Sequence, residues 1–416
     1  MEYELLSKIY YKNPSEYKAI CEQRKNSPSS FLLPFNIHNN QAFYVATNEL
    51  LLLQDKLMQG ITSLNYLIYN KVPPIAREFY IKSCLVDEVN MSNSIEGVFS
   101  TRREILDILD NSGESKRKRR FEGLVLKYHK LLSNMKEPVP LDNSADVRAI
   151  YDEIILPELD EEDLPDGELF RKEAVSVMSP TQKEIHKGVT PESKIISDMD
   201  NVLHIIKNEN IPYMVRIAVS HYFIGYIHPF YDGNGRICRF ISSYLLQKRY
   251  NPLLAFRLSY SIKGNKLAYY KAFDVCNDER NYGDVTPFVI MFAETINSAV
   301  DGLLDKLRLS VQKLKFFHKL TDVVLAGETN KDEKLIMSIL IQNALFASEG
   351  LTVEDFVSVS HFSPYSVRYY MKRLIVDRRL PINIYRYGHK FVYRLDLNLY
   401  EKYDKPPLAL TTEKTE

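Results

Sequence analysis

The stretch from Met214 to Leu245 constrains the fold more than any other part of the chain. Apolar side chains recur at helical spacing from Met214 to Ile224. Pro229 then forces the chain out of that helix. Gly233-Asn234-Gly235 permits positive φ and a close backbone approach. From Arg236 onward Ile237, Phe240, Ile241 and Leu245 line one face of a second helix. A glycine loop therefore feeds a helix N-terminus, where converging amides favour anions and phosphate above all.

The side chains around this loop suit phosphate chemistry. His228 precedes it and ordinarily titrates at about 6.5, so it can take a proton from a hydroxyl. Asp232 sits on the rim, where one carboxylate plus substrate phosphates can hold Mg²⁺. Arg236 and Arg239 are three residues apart on one helix face and can extend the anion site outward. Each piece has a plainer reading: a turn, a structural histidine, an aspartate capping a helix. A zinc group of His221, His228, Asp232 and Cys238 matches no common ligand spacing. The whole set together exceeds what structure alone requires.

At 416 residues the chain is long enough for two or three domains. Its 54 basic and 54 acidic residues cancel, so it is no polycation built for nucleic acid. The four cysteines, Cys21, Cys84, Cys238 and Cys276, form no CxxC pair and read as buried thiols of a reducing compartment. No apolar run approaches a membrane span, and the first residues are acidic where a signal peptide is basic. These features together predict a cytoplasmic protein without a membrane partner.

Most of the chain reads as helical. Leu50, Leu53, Leu57, Ile61, Leu64 and Leu67 place a helix within 41–70, and a second runs from about Ala76 to Ser94. Thr101 and Glu104 form a capping box for a third. The basic run 116–120 reads as a solvated surface, and the acidic stretch 158–163 between Pro157 and Pro165 as a loop. Between Phe170 and Val189 the pattern weakens to a short hairpin punctuated by Pro180 and Gly188. Helices resume near Ser193 and after Pro212. A linker at 327–332 sets a domain boundary near 325.

The segment His228-Pro-Phe-Tyr-Asp-Gly-Asn-Gly-Arg-Ile-Cys-Arg239 resembles the Fic motif, His-Pro-Phe-x-Asp/Glu-Gly-Asn-Gly-Arg-x-x-Arg, at every fixed position. Fic enzymes mostly transfer AMP from ATP to Ser, Thr or Tyr hydroxyls. The resemblance, over roughly residues 40 to 310, implies that His228 deprotonates the target hydroxyl and that Asp232 ligates Mg²⁺. It further implies that Gly233, Asn234 and Gly235 bind the α- and β-phosphates, while Arg236 and Arg239 hold the β/γ end. Tyr270 and Asn277 would contact adenine or ribose. The hairpin resembles the family's flap, placing Gly188 and Val189 at substrate. His221 is read as a packing residue.

Ser92-Asn-Ser-Ile-Glu96-Gly97 resembles the family's inhibitory helix, Ser/Thr-x-x-x-Glu-Gly/Asn. Ser92 and Glu96 share a helix face, and by resemblance Glu96 pairs with Arg239 and keeps it from the γ-phosphate. Residues 331–397 look like a winged helix, with Thr352 and Ser363 as caps and a wing turning near Gly388. Its basic residues make DNA contact conceivable without favouring it.

The fold expected is mainly α: a helical Fic core with a small β-hairpin flap, then a winged helix-turn-helix domain. The expected division is 1–110 with the inhibitory helix, 111–325 catalytic, 326–400 winged helix and 401–416 a tail. The expected function is AMP transfer from ATP with Mg²⁺ to a target protein or to the enzyme itself, with self-association as a further way of holding the inhibitory helix. The alternatives are removal of AMP at the same site, transfer of UMP or phosphocholine, and a nucleotide-sensing DNA-binding regulator.

Overall fold

The computed structural model describes residues 3–110, 119–132, 139–178, 184–326, 331–387 and 389–404. Helices α1 (Leu6–Lys12) and α2 (Tyr17–Lys25) lead into an antiparallel hairpin, β1 (Ser30–Ile37) and β2 (Asn40–Val45). Leu33, Phe35 and Ile37 are buried while Leu32 and Asn36 face out, the period-two alternation of a half-buried strand. This corrects the sequence reading, which ran a helix back towards Gln41. Helix α3 begins only at Asn48 and ends at Asn70.

Helix α4 (Pro74–Ile95) starts with proline in its first turn and closes on Gly97, whose φ is +77°. Val98 N–H donates to Asn93 O and Gly97 N–H to Ser94 O, the paired bonds of a Schellman ending. Helix α5 (Arg102–Asp110) carries the expected capping box: Glu104 N–H donates to Thr101 Oγ1 and Thr101 N–H to Glu104 Oε2. Helices α6 (Glu122–Lys130) and α7 (Ser144–Ile154) follow. Two 3₁₀ turns occupy the acidic stretch, and strands β3 (Ser176–Met178) and β4 (Glu184–Lys187) make the expected hairpin. The basic residues 116–118, Pro180, most of the 327–332 linker and Gly388 lie outside the described residues.

Helices α8 (Glu192–Lys207), α9 (Tyr213–Ile227) and α10 (Asn234–Arg249) form the centre of the fold. Almost every side chain of α9 and of α10 up to Gln247 is buried, so both are core helices rather than amphipathic surface ones. Short helices α11 (Pro252–Ala255) and α12 (Leu258–Gly264), then α13 (Lys266–Asn277), lead to the 39-residue α14 (Thr286–Val324). Helix α14 is long and apolar enough to cross a membrane by length and composition, yet 72% of its most apolar window is buried inside the protein.

The last part contains α15 (Lys331–Phe346), β5 (Leu351–Thr352), α16 (Val353–Val359) and α17 (Pro364–Lys372). Strands β6 (Ile382–Tyr387) and β7 (Lys390–Leu395) and the short α18 (Leu397–Tyr400) complete it. The three strands order β5-β7-β6. Thr352 and Ser363 cap their helices as read from the sequence.

The chain separates into two compact units. One is Met1–Ser63 with Cys84–Gly302; the other is Leu64–Ser83 with Leu303–Glu416. These bounds differ from a boundary near 325. The division falls inside α3, α4 and α14, where helical periodicity runs on without a break.

Candidate active site

His228 follows the last turn of α9 in a left-handed conformation, φ 54°. That conformation is costly for a residue with a Cβ, and neighbouring bonds hold it. Arg171 is fully buried and donates to four carbonyls: Nε to His228 O (2.8 Å), Nη1 to Glu173 O (2.6 Å), and Nη2 to Val189 O (2.9 Å) and Ile227 O (3.3 Å). The His228 ring turns Nδ1 towards Gly225 O at 3.4 Å. A carbonyl only accepts, so that nitrogen carries the proton and Nε2 keeps the lone pair. Burial, then the nearby His186 and Arg171, push the His228 pKa down to about 4. The imidazole is therefore neutral, the form a general base needs.

The loop after His228 is braced from within. Asn234 clamps it: its Oδ1 accepts from Phe230 N–H (2.9 Å) and its Nδ2 donates to Phe230 O (2.8 Å). Only Gly233 has positive φ, +79°, and caps α10, so Asn234 and Gly235 are already helical. A Cβ on Gly233 would lie 2.6 Å from the Ile155 side chain. Gly235 faces a different neighbour, a side-chain end. A Cβ there would sit 2.1 Å from Glu96 Oε1.

Glu96 thus lies directly over the α10 N-terminus. Its Oε1 accepts from Arg239 Nη1 at 2.7 Å. Arg239 is buried, and its other donors go to Ser92: Nε to the hydroxyl (3.0 Å) and Nη2 to the backbone carbonyl (2.9 Å). Burial alone would raise the Glu96 pKa, but the charge and hydrogen bond of Arg239 carry it below the usual carboxylate range. Lys263 and Lys266 donate to Ser94 O and Ile95 O, satisfying carbonyls at the end of α4.

Arg236 departs from expectation. It is buried and donates Nη1 to Glu158 Oε2 (2.8 Å) and Nη2 to Asp232 Oδ2 (3.1 Å). Its charge is thus spent on two carboxylates rather than turned to the loop mouth. Sequence reasoning missed Glu158, and Arg171 with it. The only hint was proximity in sequence: Tyr151 lies in the last turn of α7, Ile155 caps it and Glu158 closes the 3₁₀ turn that follows. Tyr151 stacks on Phe230 with centroids 3.5 Å apart and donates its hydroxyl to Asp232 O (3.0 Å).

Tyr270 lies beside the Glu96–Arg239 pair, whose charges act on its phenol, with Lys266 Nζ 5.5 Å from its ring centroid. Asn277 is buried and occupied: Oδ1 accepts from Tyr222 (2.6 Å), Nδ2 meets His186 Nδ1 (3.2 Å), and its carbonyl meets His38 Nε2 (2.7 Å). Gly188 and Val189 form the flap base, with their N–H groups donated to Val175 O and Ile227 O. Those amides are therefore committed internally rather than offered to a substrate. The zinc grouping is not assembled, because both nitrogens of His221 are bonded, to Ser242 and Tyr269. Among the described residues no three His, Cys, Asp or Glu side chains cluster to hold a metal. One carboxylate with substrate phosphates does fit Mg²⁺, and Asp232, 48% exposed on the rim, supplies it.

Residues 140–246 match the Fic/DOC family profile. This segment is a Fic/DOC domain. It spans α7, the flap, α8, α9 and nearly all of α10. A protein adenylyltransferase Fic from Nematostella vectensis is 32% identical over 87 residues, which is 21% of this chain and 18% of that protein. One from Aedes aegypti is 33% identical over 84 residues, 20% of this chain and 15% of that protein. The chain thus spans less than a fifth of the length of these relatives. A Fic family protein from Desulfovibrio desulfuricans shares the fold, with a TM-score of 0.50 and 19% identity, over 88% of this chain and 98% of its own.

Proposed function

We propose that this protein is an ATP-dependent protein adenylyltransferase held off by its own α4. The observation that carries the reading is the Glu96 carboxylate, 2.7 Å from Arg239 Nη1 and seated over Gly235. A carboxylate at a phosphate-binding helix N-terminus stands where substrate charge belongs.

In the released enzyme ATP would lie along Gly233–Gly235, with its terminal phosphate on Arg239 and its adenine towards Tyr270. His228 Nε2 would take the proton from a target Ser, Thr or Tyr hydroxyl. The oxygen would attack the α-phosphorus, forming the phosphodiester as the bond to pyrophosphate breaks. Mg²⁺ bound at Asp232 would neutralise the phosphate charge. The protein contributes positioning and preorganised donors. The relatives' name, the intact His228 and its neutral ring support this over a nucleotide sensor, which needs no base. The setting proposed is cytoplasmic.

The test is transfer of α-labelled AMP from ATP with Mg²⁺, onto the enzyme itself and lysate proteins. Glu96→Gly should raise transfer at least about tenfold, since about 1.4 kcal/mol suffices for that factor. Glu96→Gly/His228→Ala should abolish it. No label in any variant despite ATP binding would overturn the reading in favour of AMP removal or another donor.

A further inference from the structure

Glu158 belongs to no motif, yet it makes the most enclosed ion pair of the site. Its side chain is 8% exposed and that of Arg236 3%. Arg236 has a second carboxylate, Asp232, which is half exposed on the rim. Arg236 Nε has no hydrogen-bond partner among the described residues, so the guanidinium depends on these two acids. Three successive contacts from the end of α7 and the 3₁₀ turn after it reach the loop: Tyr151 to Phe230 and Asp232, Ile155 against Gly233, and Glu158 to Arg236.

The two acids differ in what they can do. Asp232 can turn to a cation on the substrate side. Glu158 is enclosed and stays. A buried guanidinium stripped of its only countercharge is strongly unfavourable. We infer that Glu158 is a positioning residue: it holds Arg236 when Asp232 leaves to bind Mg²⁺ with the nucleotide, so the cation need not compete with Arg236 for the carboxylate. This rests on the proposed use of Asp232.

The experiment uses the full chain carrying Glu96→Gly, with and without Glu158→Gln, which keeps the size and an acceptor oxygen. Binding of a fluorescent ATP analogue is followed against Mg²⁺ concentration, with AMP transfer and thermal melting in parallel. Glu158→Gln should raise the Mg²⁺ concentration for half-maximal binding about tenfold, because Asp232 is then the sole full countercharge of Arg236. Binding at saturating Mg²⁺ should stay within about twofold. An unchanged Mg²⁺ midpoint overturns the inference, as does a binding defect that saturating Mg²⁺ cannot restore, which marks a purely structural role. Absence of any Mg²⁺-dependent nucleotide binding also overturns it. Raised transfer on Glu158→Gln in the chain with Glu96 intact would make Glu158 a second brake instead. A shifted midpoint without transfer in any variant would keep this inference and remove the transferase reading.

Discussion

Arg239 shows how the brake and the active centre divide one side chain. Glu96 takes only Nη1, while Ser92 takes Nε and Nη2. Removing Glu96 therefore leaves Arg239 aimed rather than loose. Ser92→Ala in the native chain should release little transfer, because the Glu96 bond survives. In the Glu96→Gly background it should lower transfer about fivefold, the effect of a lost hydrogen bond worth about 1 kcal/mol. Equal activation by Ser92→Ala and Glu96→Gly would contradict this division. Protonation follows the same geometry. A folded-state pKa near 4 keeps His228 neutral above about pH 5, and Glu96 if anything raises that value. In Glu96→Gly the acidic limb of kcat/KM, which reports the free enzyme, should lie near pH 4 and not near 6.5. The Glu96–Arg239 pair has a depressed carboxylate pKa, so it persists above that value and is lost only as pH falls through it. The activity ratio of Glu96→Gly to the native chain should therefore be flat from about pH 5 to 8.

At the scale of elements, the end of α4 is set by Gly97. Its φ of +77° lets the Schellman bonds form, and a Cβ there meets nothing within 4 Å. Gly97→Ala should cost about 1 kcal/mol by conformation alone, with a lower Tm and a few-fold rise in transfer as Glu96 loosens. Gly97→Asn, which tolerates the left-handed region better, should do less; the reverse order would refute a conformational cause. What was legible in the sequence follows the range of the interactions. His228, Asp232, Gly233 and Gly235 belong to a local helix–break–helix pattern, and Ser92 with Glu96 to one helical repeat. The Glu158–Arg236 pair joins residues 78 apart and the contacts of Arg171 reach 57, with no local pattern to announce them. The β1–β2 hairpin was lost because Gln41-Ala-Phe-Tyr-Val45 merges into the apolar run of α3. The side chain of Asn277 and the amide of Val189 bond to partners 38 to 91 residues away in sequence, again with no local pattern to announce them.

At the scale of the molecule, the composition change near 327 suggested a place to cut the chain, but packing divides it elsewhere. The second unit joins Leu64–Ser83 to everything after Leu303. Within it Gln342 Oε1 accepts from Ala76 N–H (3.1 Å), Phe346 meets Tyr80 edge-on (6.2 Å), and Leu345 O accepts from Ser310 Oγ (3.2 Å). Tyr400 stacks on Phe317 (6.1 Å) and shares a hydrogen bond with Thr321 (3.0 Å). Ending the chain at 325 removes Gln342, Leu345, Phe346 and Tyr400 while leaving their partners behind. Uncovering a large apolar side chain costs about 1.5–3 kcal/mol. Two such losses, at Tyr80 beneath Phe346 and at Phe317 beneath Tyr400, come to about 3–6 kcal/mol, a large share of the roughly 5–15 kcal/mol that holds a domain folded. A 1–325 fragment should therefore aggregate, or melt at least about 10 °C below the full chain, even though its Fic domain is untouched in sequence. A soluble, monomeric 1–325 fragment with the Tm of the full chain would mean that the helical segments 64–83 and 303–324 are stable without the residues that cover them.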